Sequence, residues 1–287
     1  MRTRRTIPWI AALTAVFFAV LLAALWLHGE APNGAGKLHR AIGPVEYTYV
    51  NGGTVERHGV EVWRPNDTRK HPIVIFIHGG AWSWEQFDKA AHREDCRRIA
   101  KTGRIAVTIN YTLAKSGRPS YPGVLDDIDA AVRWVGKTFP QADMSNVTLV
   151  GGSAGGHLAL LYAATHPGRV KAVLSLSGPC ALEKSDADLR PYVEQLLGAR
   201  QEENPALWAE ASPASYVSAG AFSGMRIGLI AGGHDATVPI DDAVAMYAAL
   251  RDAGVAVTYL DLAEGDHCLL NAPQARDAVI DAFLKGD

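Results

Sequence analysis

Six apolar runs constrain this chain more than any other feature: Ile73–Ile77, Ile105–Ile109, Val147–Val150, Val170–Leu176, Ile227–Ala231 and Val255–Leu260. The first, Ile73-Val74-Ile75-Phe76-Ile77, has no polar member. A continuous β-branched run suits a strand buried on both faces, as in a parallel sheet covered by helices. Between the runs lie patterns at helical spacing. Leu125, Ile128, Val132 and Val135 mark one apolar face, and Ala243, Met246, Tyr247 and Leu250 another. Strand and helix alternate, so the sheet is expected to be mainly parallel. Ahead of them, Val45–Val50 and Val60–Trp63 alternate apolar and polar around Gly52-Gly53, which predicts antiparallel strands at the sheet edge. The expectation is an α/β fold with an eight-stranded, mostly parallel sheet flanked by helices. At 287 residues and 48% hydrophobic, the chain can bury one large core, assigned to residues 45–287. The stretch 182–220 breaks the rhythm. It has two short helical patterns, about Asp188–Leu197 and Asn204–Glu210, and no strand, so it is read as a small cap-like insertion.

Gly151-Gly152-Ser153-Ala154-Gly155 sits where one apolar run meets a helix-type run, Gly156–Ala164. Strand, tight turn and helix with a serine at the apex is the setting in which G-x-S-x-G forms a nucleophile elbow. Glycines two residues either side relieve a turn that would otherwise clash with its neighbours. A serine hydroxyl is a weak nucleophile unless a base, itself oriented by an acid, lies within hydrogen-bond reach. In open α/β sheets such groups collect at the carboxyl ends of strands. Past Ile227–Ala231 comes Gly232-Gly233-His234-Asp235, and past Val255–Leu260 comes Asp261-Leu262-Ala263-Glu264-Gly265-Asp266-His267. Asp235 is the acid at the first strand end, and His267 stands in the loop before the last helix. The order Ser153, Asp235, His267 is that of a hydrolytic triad on such a sheet. His78-Gly79-Gly80-Ala81-Trp82 follows the strand 73–77, where the N–H groups of Gly79 and Gly80, with that of Ala154, are expected to hold an oxyanion. Trp82 and Trp84 are read either as lining an acyl pocket or, equally, as aromatic packing under the cap, and His234 as a lining residue. His157 is read as buried structure.

These segments, with Asn110-Tyr111-Thr112-Leu113 and Asp235-Ala236-Thr237-Val238-Pro239, resemble the α/β-hydrolase esterase/lipase superfamily from about Val45 onward. More closely, they are similar to the branch that holds hormone-sensitive-lipase-like carboxylesterases and the feruloyl/acetyl-esterase-like enzymes of its polysaccharide-acting relatives. Two departures are visible. The oxyanion motif is His-Gly-Gly-Ala, which suits the feruloyl/acetyl-esterase-like or kynurenine-formamidase-like groups, and position 152 is Gly where the lipase-like branch carries an acid. The resemblance implies a serine carboxylesterase acting on small-molecule esters; the small size of the 182–220 insertion points to short acyl groups, and no residue pattern calls for a cofactor. An arylformamidase or small peptidase on the same residues is the alternative within enzymes. A non-catalytic binding module is the alternative outside them, and such a module is expected to have lost Ser153, Asp235 or His267.

The N-terminus has a different composition. Arg2, Arg4 and Arg5 precede residues 7–27, which carry no charge. At ~1.5 Å per residue that run spans roughly 32 Å, about one bilayer core. Trp9 and Trp26 sit near its ends, where interfacial aromatics are favoured. Residues 1–28 are expected to be a membrane anchor, with 29–44 a linker and the domain outside the cytoplasmic membrane. Cleavage as a signal peptide, giving a secreted protein, is the competing reading. Net charge is −2, with no basic cluster after the first residues, which argues against a nucleic-acid partner. The ten histidines show no metal-ligand spacing. Cys96, Cys180 and Cys268 are too scattered for a zinc site or a disulfide framework, although one pair could form.

Overall fold

The computed structural model describes residues 39–286. The expected anchor at 1–28, and most of the linker, lie outside them. Among the described residues no helix is long and apolar enough to cross a membrane. The chain runs β1 (Ala41–Thr48), α1 (Val55–His58), β2 (Gly59–Pro65), β3 (His71–Ile77), α2 (Arg93–Ala100), β4 (Ile105–Ile109), α3 (Gly123–Thr138), β5 (Ala142–Gly152) and α4 (Ala154–Thr165). It continues through β6 (Ala172–Leu176), α5 (Arg190–Leu197), α6 (Pro205–Glu210), β7 (Arg226–Gly232), α7 (Ile240–Asp252), β8 (Ala256–Leu262) and α8 (Pro273–Leu284). The strands form one eight-stranded sheet in the order β1-β2-β4-β3-β5-β6-β7-β8. β1 and β2 are antiparallel to their neighbours, and the other six strands are parallel.

The period-2 alternation of a strand sorts each run between two cores. Ile73, Ile75 and Ile77 face one core, where α3, α4 and α7 supply Ile128, Leu158 and Met246. Val74 and Phe76 face the other, against Cys96 and Ile99 of α2 and Ile280 and Phe283 of α8. α4 is buried from Ala154 to Ala164. It therefore has no polar face, and its sequence is apolar all round.

β1 begins earlier than expected. Ala41 and Ile42 pair with Pro65 and Arg64, and the register shifts before Val45 resumes opposite Val62. Residues 41–44, read as the end of the linker, are therefore strand. Their Gly and Pro argue locally for a loop, but β2 is long enough to offer partners for them.

The 182–220 insertion is fastened to the body. Backbone N–H groups of Ser120 and Tyr121 donate to the Leu196 carbonyl at 3.2 Å each, and the Tyr121 hydroxyl donates to Glu210 Oε1 at 2.9 Å. Trp208 is fully buried and donates from Nε1 to the Ala199 carbonyl at 3.0 Å. Pro191 stands in the first turn of α5, where its missing N–H costs nothing, and Gly198, at φ 74°, ends the helix in the left-handed conformation that terminates helices. All three cysteines are free thiols. Cys96 and Cys180 belong to the cores on opposite faces of the sheet, so these two cannot pair.

Candidate active site

The turn after β5 is forced by close approach. A Cβ on Gly155 would lie 2.0 Å from the Ile77 carbonyl oxygen, and one on Gly151 would lie 2.3 Å from the Gly155 backbone. Nothing larger than glycine fits at either position. Between them Ser153 adopts φ 53°, ψ −125°, a region that L-residues rarely occupy and that costs on the order of 1–3 kcal/mol. Its N–H donates to the Leu176 carbonyl at 2.8 Å, and its carbonyl accepts from His157 N–H at 3.0 Å. These bonds at both peptide groups hold the strained residue at the head of α4.

Asp235 and His267 come from the loops after β7 and β8 and meet. His267 Nδ1 lies 3.0 and 2.9 Å from the two Asp235 carboxylate oxygens. The Asp235 side chain is 1% exposed. Its Oδ1 also accepts the backbone N–H groups of Thr237 and Val238, at 2.9 Å each. Burial alone would raise its pKa, but His267, the Val238 N–H and the Ser177 hydroxyl together hold it below the ordinary carboxylate value. For His267 burial works downward. The hydrogen bond and charge of Asp235, with a contact to Cys268, outweigh it and hold the imidazole above its ordinary 6.5. With Asp235 ionised, Nδ1 carries a proton, which leaves Nε2 to exchange protons with a reactant.

Ser153 and His267 line one cavity of about 560 Å³ with Gly79 and Gly80. The loop after β3 has positive φ at three successive residues, 102° at Gly80, 46° at Ala81 and 58° at Trp82, and is strained at the last two, which are not glycine. His78 pins its start. It is buried, stacked on Tyr111 at 4.3 Å, and bonded through Nδ1 to the Gly79 carbonyl at 2.7 Å. Burial pulls its pKa down to about 4, so it is neutral and structural at working pH.

Two sequence expectations are corrected. Trp82 does not line the cavity. It has 0% exposure, and its Nε1 donates to His157 Nδ1 at 3.1 Å beneath the loop. His157 Nε2 in turn lies 2.8 Å from the Ala211 carbonyl, so the pair ties the strained loop, α4 and the insertion together. Two residues on, Trp84 does line the cavity and stacks edge-on against Tyr192 of α5 at 5.5 Å. His234 also misses the cavity. Its side chain is 65% exposed and faces Glu264 at 3.6 Å. The backbone explains it, because His234 N–H is tied to the Gly265 carbonyl at the outer side of the turn.

Sequence reasoning passed over Ser177. It follows β6 at φ 51°, and its hydroxyl bonds the Asp235 carboxylate while accepting Cys268 N–H at 3.0 Å. It thus links Asp235 to the residue next to His267. Its place just past a strand end, the same position that marks Asp235 and His267, is the signal that identifies it. Among the described residues no group of three His, Cys, Asp or Glu side chains is arranged to hold a metal ion.

The family described as BD-FAE matches residues 60–250. The chain is 32% identical over 243 residues to Esterase LipQ of Mycobacterium tuberculosis, covering 77% of this chain and 56% of that protein. It is 28% identical to Probable carboxylic ester hydrolase LipM of the same organism, with the same coverages. The chain thus spans about half the length of these curated relatives. Among solved structures, a truncated form of a carbohydrate esterase from gut microbiota aligns with a TM-score of 0.69 at 19% identity, over 88% of this chain and 97% of that one. Thermogutta terrifontis esterase 2 phosphonylated by sarin aligns with a TM-score of 0.67 at 20% identity, over 84% and 94%. The structural likenesses establish the α/β-hydrolase fold.

Proposed function

Because this chain belongs to the BD-FAE family, within the α/β-hydrolase esterase/lipase superfamily, we propose that it hydrolyses carboxylic esters through an acyl-enzyme on Ser153. One observation carries the reading: a serine on a strained strand–helix turn shares a cavity with a histidine bonded to a buried carboxylate. Relatives named esterase and carboxylic ester hydrolase support the ester class.

In the proposed cycle His267 Nε2 takes the Ser153 proton as Oγ attacks the acyl carbon. Asp235 keeps the other imidazole proton on Nδ1 and offsets the charge that develops. The N–H groups of Gly79, Gly80 and Ala154 take the oxyanion. The tetrahedral intermediate collapses, His267 gives its proton to the departing alcohol, and water repeats the sequence on the acyl-enzyme. Ser177 is a positioning residue that acts through Asp235. Short acyl groups are the proposed substrates, supported by an insertion too small to roof a long chain.

The histidine shift fixes the sign of the pH dependence. A raised pKa means that the charged imidazole, which cannot accept a proton, persists above the ordinary 6.5. Turnover of p-nitrophenyl acetate therefore rises with pH, and the base limb of kcat/KM lies above 6.5. A flat profile between pH 5 and 8 would remove His267 as the base.

Ser177→Ala deletes one donor to a buried carboxylate. The expected result is a loss of about tenfold in kcat, from roughly 1.4 kcal/mol of lost orientation, with KM for the same ester unchanged. A change confined to KM or to thermal stability would leave Ser177 a structural residue only.

A further inference from the structure

We propose that the Asp95–Arg276 ion pair is the end wall of the acyl arm of this site and sets the longest acyl chain it accepts. The inference rests on the reading that Ser153 carries the acyl group.

The cavity has two sides. Toward solvent it is bounded by Trp84, 38% exposed, and Leu270, 64% exposed. In the other direction it enters the α2–α8 face of the sheet. Val150, Leu176 and Ile280 wall it there, all buried. The alcohol must leave and water must enter while the acyl group stays on the serine. The solvent side therefore serves the alcohol and water, and the enclosed side holds the acyl chain.

The inner part of the cavity has an apolar wall of Val150, Leu176 and Ile280, and its polar lining there is His92, Asp95 and Arg276. Arg276 of α8 reaches Asp95 of α2 at 3.1 Å. The Asp95 side chain is 3% exposed, and it is also held by His92 at 2.9 Å and Arg98 at 3.4 Å. On its far side the same pair lines a second space, a cleft of about 310 Å³ with Arg97, Arg98 and Lys101. Asp95 and Arg276 therefore stand as a partition between the acyl arm and the outer cleft. The Arg276 Nε is buried and has no hydrogen-bond partner, so this side chain is not fully satisfied where it stands.

A short chain lies against Val150, Leu176 and Ile280 and gains by burying its methylenes. A longer one reaches the ion pair. It must either desolvate the pair or push Arg276 aside, which weakens the pairing of a buried carboxylate. The selectivity is then set by a charged wall between two helices as well as by the insertion over the mouth.

The test is a series of p-nitrophenyl esters from acetate to dodecanoate, with kcat/KM measured for each. Arg276→Ala opens the arm into the outer cleft, and the octanoate-to-acetate ratio is expected to rise at least about tenfold, the scale of one or two methylenes in an apolar pocket. Ala91→Phe narrows the arm beside His92 from an exposed position, and the butyrate-to-acetate ratio is expected to fall about tenfold. A folded Arg276→Ala whose ratio stays within twofold of the wild type overturns the inference. If that variant does not fold, an unchanged ratio in Ala91→Phe overturns it. A wild-type protein inert toward the acetate ester, or a Ser153→Ala protein that still turns it over, defeats the parent reading instead.

Discussion

Ser153→Ala is expected to lower hydrolysis of p-nitrophenyl acetate by roughly 10⁴–10⁶-fold, to a residue of rate supplied by the rest of the site. The loss is large because no second hydroxyl stands on the elbow. Oγ is held there by a backbone conformation at φ 53° that the flanking glycines make attainable. Alanine bears the same backbone conformation at the same cost, so the fold should survive. Circular dichroism and thermal melting would show that the variant is native. Measured turnover within a hundredfold of the wild type would move the nucleophile elsewhere.

Asp235→Asn is expected to lower kcat by about 10⁴-fold. The present carboxylate can only accept, so it dictates that Nδ1 keeps a proton. An amide can offer its own N–H to Nδ1, which traps the tautomer with Nε2 protonated and unable to act as a base. The same substitution removes the main influence that raises the His267 pKa, leaving burial, which lowers it. The base limb of the residual activity is therefore expected to move to lower pH than in the wild type. Both readouts come from one set of pH–rate measurements. A loss under tenfold with the limb unmoved would mean that another acid orients the imidazole.

These two substitutions probe different parts of what the chain spells out. Ser153 is readable because its constraints are local: a β-branched run, two glycines at fixed offsets and a helix pattern occupy consecutive positions. Asp235 and His267 are readable one step less directly, as the polar residues that follow two later strands. A parallel sheet carries every such strand end to one edge, so the rule that finds them is topological and needs no distances. Ser177 obeys the same rule. It was passed over because a serine after Ser175-Leu176 has no feature that separates it from an ordinary turn residue.

The misplaced residues show the opposite limit. Trp82 and Trp84 are two apart on the same loop, and their chemistry is equal. Which one lines the cavity depends on three successive positive φ values and on whether an indole N–H finds a buried acceptor. The acceptor is His157, far along the chain, held neutral by burial that pulls its pKa down to about 4. His234 leads the turn beside Asp235, yet its backbone bond to Gly265 sets it on the outer side. At the other end of the domain, Ala41–Pro44 look like linker and pair as strand, because the decision rests with β2.

By itself, then, the sequence determined the α/β architecture, the elbow and the set of residues proposed for acyl transfer, since each follows from periodicity or from short motifs with a steric reason. Only the tertiary structure decided how those residues are buried, oriented and charged. The imidazole is bonded to a carboxylate that four donors satisfy, a tryptophan lies under the loop, and an ion pair between α2 and α8 lines the cavity. Those outcomes depend on contacts between segments far apart in the chain. Burial and electrostatics belong to the packed whole, and no local pattern encodes them.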